Sequence, residues 1–379
     1  GKHIRSLQHS DYIMREHPDK FITDDDIEAL KDQVKKLVML PGEEIIHVLP
    51  QEYKVDSEGE IQEPVGMHGK RLEANFHVVV GQMGSIRNIA RCVREAGLEM
   101  EALTLEPLAS SEAVLTKEEK EAGVAIVDIG GGTTDIAIFK DNIIRHTCVI
   151  PYGGGIITED IKEGCSIIEK HAEQLKVKFG SAVPELEKDS TFVTIPGLHG
   201  RPDKEISLKT LAQIINARVE EILEMVNTEL KAYGAFEQKK KLIAGIVLTG
   251  GGSNLKHLRQ LANYTTGFDS RIGFANEYIA NDKNQYLKGP EFATSIGLLM
   301  ESLKIRDKKQ GSETEELVEE ELAKAETVPS QTETVQQAQP TAIVQEQSVV
   351  SEQQENRRAK LTFGQSLMEK VKKFFEEVE

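Results

Sequence analysis

The stretch VAIVDIGGGTTDIAIF, Val124–Phe139, interrupts two apolar runs with three consecutive glycines, two threonines and two aspartates. Two strands joined by Gly130-Gly131-Gly132-Thr133 make a hairpin whose tip exposes backbone N–H groups. Such nests bind anions, and glycine lets a phosphate approach where a Cβ would clash. Asp128 lies just before the glycines, placed to hold a cation beside that anion. Mg²⁺ takes carboxylates together with waters and phosphate oxygens. The plainer alternative is a tight turn with glycine for positive φ, but a two-residue hairpin needs fewer glycines and no hydroxyls.

A second glycine run, GIVLTGGGSNL at 245–255, follows a strand and precedes a helix, where backbone and dipole can meet a ligand. Neither run is the G-x-G-x-x-G of a dinucleotide fold, and there is no GxxxxGK[ST] phosphate loop.

The whole chain narrows the classes further. Its 379 residues can hold several domains, and 39% hydrophobic content is ordinary for a globular protein. A net charge of −17 argues against nucleic acid as a partner. Cys92, Cys148 and Cys165 form no CxxC pair, which reads as reduced thiols and not a disulfide framework or zinc site. No apolar run is long enough to span a membrane.

Along the chain the pattern is α/β. FITDDDIEALKDQVKKLV carries capping candidates Thr23 and Asp24 and apolar residues at helical spacing. EEIIHVLPQEYKVD and RLEANFHVVVGQ read as strands, and SIRNIARCVREAG as a helix closed by Gly97. Helices are expected near 155–170 and 207–233. From 304 to 356 the composition turns to Glu, Gln, Thr, Ser, Val and Pro, too polar to offset its chain entropy by burial, which predicts a disordered linker with a short helix near 313–325.

The two glycine loops resemble the phosphate-2 and adenosine motifs of the actin and heat-shock-chaperone ATPase superfamily. LTLEPLASSEAVL and EFATSIGLLM resemble its two interdomain helices. More narrowly, LPQEYKVD…PVGMHGKRLEA, EPLASSEAVLT, RHTCVIPYGGG, GIVLTGGGSNL and the amphipathic tail are similar, in order, to the bacterial cell-division FtsA family.

The resemblance implies an actin-like two-lobed α/β fold with ATP and Mg²⁺ as ligands. Gly130, Gly131, Gly132 and Thr133 would cradle the β- and γ-phosphates, with Asp128 acting on Mg²⁺ through water. Glu106 would orient water or metal; the bland alternative is a helix-start acid near the dipole. Gly250, Gly251 and Gly252 would face the adenosine. Glu173 and Lys176 would reach ribose and base, or else form an ordinary i,i+3 ion pair. Activity would be a slow ATPase at most.

The implied organisation is an inserted β-α-β-β subdomain (1C, SHS2-like) at 3–82 and the rest of subdomain 1A with the first interdomain helix at 83–122. Subdomain 2A follows in two parts, 123–176 and 243–288, around 2B at 177–242. A return helix at 289–303, the linker at 304–356 and a basic, amphipathic segment at 357–379 complete it. The superfamily's first phosphate hairpin is absent, and Gly1 is no initiator Met, so an N-terminally truncated chain is expected.

In FGQSLMEKVKKFFEEVE, residues Phe363, Leu367, Met368, Val371, Phe374 and Phe375 fall on one side of a helix. This predicts weak, reversible insertion into an anionic membrane surface, firmer for a polymer of tails; a helix docking in a partner's groove is the alternative. The family implies filaments, the C-terminal peptide of FtsZ bound by 2B, later division proteins met through 1C, and a place on the cytoplasmic face of the inner membrane at the septum. A chaperone, sugar kinase or pilus-assembly ATPase of the same superfamily is the alternative. The chaperone would need a β-rich domain where the linker stands.

Overall fold

Two sheets carry the architecture. A computed structural model describes residues 3–197, 202–275, 287 and 289–307. The first sheet contains β1 (Ile4–Met14), β2 (Glu43–Val55), β3 (Glu58–Ile61) and β4 (Arg71–Gln82), in the order β1-β4-β2-β3, antiparallel throughout. Helix α1 (Asp24–Lys35) covers one face. Its N-terminus is held as the sequence suggests: the Thr23 N–H donates to Asp26, which also takes the buried Arg15 guanidinium.

Strand β4 shows why this sheet is a centre. Leu72, Ala74, Phe76, Val78 and Val80 alternate toward α1 and pack with Leu30 and Val34. The intervening His77 and Val79 are buried too, at 1% and 0% exposure, because the opposite face lies against the rest of the protein. The four-residue β3 is an addition to the expected β-α-β-β order. Its EGEI sequence is short, polar and mostly exposed, so neither periodicity nor propensity marks it.

The second sheet has the order β11-β10-β5-β6-β7, with β5 (Val124–Ile129), β6 (Thr134–Lys140), β7 (Ile143–Ile150), β10 (Ile246–Thr249) and β11 (Ser270–Ile272). β5, β10 and β11 run parallel; β5, β6 and β7 form an antiparallel meander. Every residue of β5 is buried. Ala125, Val127 and Ile129 enter one core with α5 (Gly154–Cys165), α6 (Glu169–Phe179), α7 (Leu208–Tyr233) and α8 (Leu258–Thr266). Val124 and Ile126 enter another with α3 (Glu106–Val114) and the helix 293–307, here α9. Burial on both faces explains the unbroken apolar run.

The helix expected near 155–170 is two. α5 stops at Cys165 because Ser166 turns into the left-handed region, φ 48°, and α6 starts afresh at Glu169. The short strands β8 (Phe192–Ile195) and β9 (Lys204–Ser207) pair ahead of α7. Between these bodies, α2 (Met83–Glu95) continues from β4; none of its residues is buried, although its pattern is amphipathic. Among the described residues no helix is long and apolar enough to cross a membrane. The last helix continues through 304–307, where the linker was expected to begin; the rest of the predicted linker, the short helix within it and the amphipathic tail lie outside the described residues.

Helices α3 and α9 cross backbone to backbone. A Cβ at Gly297 would overlap the Ala109 carbonyl oxygen, an atom that cannot swing aside. Gly297→Ala should therefore lower the urea midpoint by the equivalent of about 1–3 kcal/mol, outweighing alanine's better helix propensity. Gly131→Ala, where a Cβ meets nothing within 4 Å, is the control and should stay within about 0.5 kcal/mol of the parent.

Candidate functional site

The β5–β6 register places Asp128 opposite Asp135 and Ile129 opposite Thr134, leaving Gly130–Thr133 as the tip. The Gly130 N–H closes the loop on the Thr133 carbonyl at 2.9 Å. Beneath it lies the start of α5. The Gly154 N–H donates to the Gly130 carbonyl at 2.8 Å and the Gly155 N–H to that of Gly131 at 2.7 Å. A Cβ on Gly153 would come within 2.5 Å of the Gly130 oxygen. Gly153, and less strictly Gly155, thus let backbone stack on backbone. On the other side, Gly131 and Gly132 have open space where a Cβ would stand. One flank of the loop is packed and the other is free.

The second glycine run meets the same place, because β10 pairs with β5 and sets Thr249 beside Asp128. Gly250 has φ +80° and a Cβ there would strike the Asp128 carboxylate and the Ile129 carbonyl oxygen, the latter at 2.7 Å. A Cβ on Gly252 would come within 2.9 Å of the Ile129 Cβ, while Gly251 stays nearly free. Two of these glycines are therefore required by the first loop, whatever ligand comes. The run does not open directly into a helix: a 3-10 turn, Gly251–Asn254, intervenes before α8.

Around the tip the charge is acidic. Asp128 is 2% exposed, and its Oδ2 accepts from the Ser110 hydroxyl of α3 at 2.6 Å and the Thr294 hydroxyl of α9 at 3.4 Å. Burial pushes its carboxyl above the ordinary value; the Ser110 hydrogen bond opposes this and the Asp135 charge adds to it. Asp135 Oδ2 accepts from the Thr133 hydroxyl at 2.7 Å, while its buried Oδ1 has no partner among the described residues. Glu106, in the first turn of α3, is pushed up to about 7 by burial and by the charges of Asp135 and Asp128.

Lys176 answers from α6. Its ammonium bonds the Gly154 carbonyl and the Thr158 hydroxyl, both at 2.8 Å, and pairs with Glu173 at 2.7 Å. Thr158 in turn donates to Glu173 at 2.5 Å and is itself buried. The i,i+3 ion pair is formed, and it is also tied, through Gly154, to the carbonyl of Gly130.

Asp128, Gly130–Thr133 and Gly250–Gly252 therefore converge, with Glu106 close enough to feel Asp128 and Asp135. Sequence reasoning missed Asp135, Ser110, Thr294, Thr158 and Gly153–Gly155. The Gly153–Gly155 triplet of RHTCVIPYGGG and the second aspartate of the hairpin, Asp135, were available signals for some of these. The pairing of α3 with α9 was not. The membrane-facing candidates Phe363, Leu367, Met368, Val371, Phe374 and Phe375 lie outside the described residues.

Comparison with known proteins follows this geometry. Residues 125–297 match the family model described as cell division protein FtsA, and residues 1–80 match that of the SHS2 domain inserted in FtsA. The cell division protein FtsA of Pseudomonas aeruginosa is 38% identical over 304 residues, covering 80% of this chain and 71% of that protein. The chain belongs to the FtsA family. FtsA of Escherichia coli is 36% identical over 303 residues, 79% of this chain and 71% of that protein. A PilM–PilN type IV pilus biogenesis complex shares the fold at 18% identity, with a TM-score of 0.54 over 78% of this chain and 76% of that one. The SHS2 match falls on the first sheet and α1, and the FtsA match on the second sheet with its helices. The actin-like α/β fold expected from the loops is the fold observed.

The Glu106 shift has a consequence for the chain without ligand. Its carboxyl titrates near 4.5 when unfolded and near 7 when folded. Between those values the folded chain keeps a proton that the unfolded chain has lost, so stability falls as pH rises through that window. Glu106→Gln should remove this slope: in urea titrations it should gain on the parent from pH 5 to pH 7.5. Parallel profiles for the two proteins would assign the site a different proton.

Proposed function

We propose that this FtsA-family chain is an ATP- and Mg²⁺-binding filament subunit that anchors FtsZ to the cytoplasmic membrane at the division septum. The observation that carries the nucleotide reading is the one-sided glycine loop. Gly131 and Gly132 are open where a Cβ would stand, the carbonyls of Gly130 and Gly131 are bonded to the start of α5, and the buried Asp135 Oδ1 has no partner among the described residues. An anion-accepting tip and an unsatisfied acid at one spot fit a phosphate with its cation.

Among the described residues, no group of three or more His, Cys, Asp or Glu side chains is placed to hold a metal ion by itself. That suits Mg²⁺, which keeps its waters and shares phosphate oxygens. Asp128 would reach the ion through water, held by Ser110 and Thr294. Gly130–Thr133 would take the β- and γ-phosphates, and Gly250–Gly252 would face the adenosine. Glu173 and Lys176 would turn to ribose and base, and Glu106 would orient water. ATP supplies phosphoryl groups whose charge the loop and the ion balance; any hydrolysis is slow and regulatory.

The partners follow from the family. The C-terminal peptide of FtsZ would bind 2B, whose long helix α7 keeps Arg218 bound to Asp160 and Glu221 on its polar side. Later division proteins would meet the SHS2 subdomain. The amphipathic tail would insert Phe363, Leu367, Met368, Val371, Phe374 and Phe375 into an anionic bilayer. The linker expected from composition at 304–356 would, as a coil, span ~40 Å on average, enough to reach the membrane without fixing the body's orientation.

Two measurements test this. Calorimetry at millimolar Mg²⁺ should show ATP binding to the protein, with its metal-dependent part weakened in Asp128→Ala; no binding heat in the parent would overturn the nucleotide reading. For the tail, Phe374→Glu places a charge on the inserted face and should abolish co-sedimentation of monomers with anionic vesicles. Lys372→Gln should weaken it only modestly and in a salt-dependent way. If Phe374→Glu protein pelleted like the parent, the tail would be a partner-binding helix.

A further inference from the structure

The SHS2 sheet meets the rest of the protein through β1, β2 and β4, and β2 does so at two irregularities of its pairing. The pairing of β2 with β4 slips once between Ile45 and His47, and again between Pro50 and Glu52. A bulge bends its strand and re-aims the neighbouring side chains. Here each slip delivers one side chain across the boundary. After the first, the His47 Nε2 accepts the N–H of Leu105 at 3.0 Å. At the second, the bulged Gln51 donates its Nε2 to the carbonyls of Ile144 at 2.8 Å and Arg145 at 3.2 Å, on the edge strand β7. Room for the first bulge is reserved in β4: a side chain at Gly81 would collide with Ile46.

The His47 bond falls on a sensitive spot. Leu105 is the N-cap of α3, the residue before Glu106, and α3 has no side-chain cap of its own. The first four N–H groups of a helix need outside partners. Leucine cannot supply one, and Pro107 in the first turn has no N–H to offer. An imidazole from another subdomain takes the N–H of the N-cap residue, the bond that a capping-box Glu or Gln at the third helical position would otherwise accept, where this helix has Leu108. Burial holds the His47 ring below its ordinary pKa, which keeps it neutral and able to accept.

We propose that His47 is a positioning residue for the nucleotide site: by capping α3 it makes the seat of the SHS2 sheet and the placement of Glu106 one mechanical variable. Whatever shifts the SHS2 sheet against β7 then shifts the start of α3, and nucleotide at the glycine loop acts back on the SHS2 sheet, since coupling between sites is reciprocal. The proposal rests on the nucleotide reading for its second half only; the cap itself is a property of the chain alone.

Hydrogen exchange on the whole 379-residue chain tests both halves. Without nucleotide, His47→Leu should speed exchange in 103–108 by about fivefold, the factor for one ordinary hydrogen bond. His47→Gln, whose amide oxygen can accept, should restore it. Gln51→Ala should loosen 143–150 and, by easing the seat with the cap intact, 103–108 by less than His47→Leu does; if His47→Leu does not fold, unchanged exchange at 103–108 in Gln51→Ala alongside a loosened 143–150 would overturn the coupling. With a non-hydrolysable ATP analogue and Mg²⁺, the parent should gain protection at 129–135 and also in 43–55. His47→Leu should keep the first and lose the second. Unchanged exchange at 103–108 in His47→Leu, or loosening of 103–108 by Gln51→Ala to the same degree, would overturn the cap. Undiminished protection of 43–55 in His47→Leu would overturn the coupling. A parent with no protection at 129–135 would overturn the nucleotide reading alone.

Discussion

At the C-terminal end of β5, three stretches of backbone approach closer than side chains would permit. Gly130 lies against Gly153 and Gly154, and Gly250 and Gly252 lie against Asp128 and Ile129. Everything else in the site is arranged by that contact. It sets α5 beneath the loop, so the helix's first N–H groups are spent on the loop's carbonyls and not on a ligand. It leaves Gly131 and Gly132 facing outward. It also fixes where the Asp128 carboxylate points, because the Gly250 backbone closes one side of it. A Cβ at any of the packed positions would push the loops apart and open the acid to water.

The acids are the second constraint. Burying Asp128 and Asp135 at neighbouring positions of a hairpin is unfavourable unless hydrogen bonds or a cation offset it. Hydroxyls carry part of the load: Ser110 and Thr294 for Asp128, Thr133 for Asp135. They do not carry all of it, as the unpartnered Asp135 oxygen and the raised Glu106 carboxyl attest. A site organised this way is in its least comfortable state when no positive charge is present. Lys176, on α6, is committed to Gly154, Thr158 and Glu173.

Local chemistry made much of the fold legible in the sequence. The Thr23–Asp26 start of α1, the buried run of β5 and the glycine-tipped hairpin follow from capping, burial and turn rules, each satisfied within a few residues. What was not legible depends on distant pairing. Nothing in EGEI says strand until β2 is alongside it. Nothing in the helix period says that Ser166 must turn left-handed and split α5 from α6. The same division holds in the site. Asp128 and the glycines announce themselves, whereas Ser110 and Thr294 become relevant only when α3 and α9 cross at Gly297. The roles of Gly250 and Gly252 differ in kind from what the sequence implies, since internal packing already requires them.

The two sheets are joined by a boundary of a different character from either core. Within each sheet the contacts are aliphatic and close-packed. Across the boundary they are largely polar: Ser6 to the Thr147 carbonyl, His77 to the Thr147 hydroxyl, Gln51 to the β7 carbonyls and Arg145 to Glu52. Beside them lies a cavity of about 250 Å³, lined by Ile4, Leu105 and Cys148 among others. Directional bonds define one seating, yet each is individually modest, and the cleft beside them leaves part of the boundary unfilled. An aliphatic seam would make the two bodies one. A polar seam that reaches the cap of α3 keeps them distinct while giving a displacement on one side a definite consequence on the other.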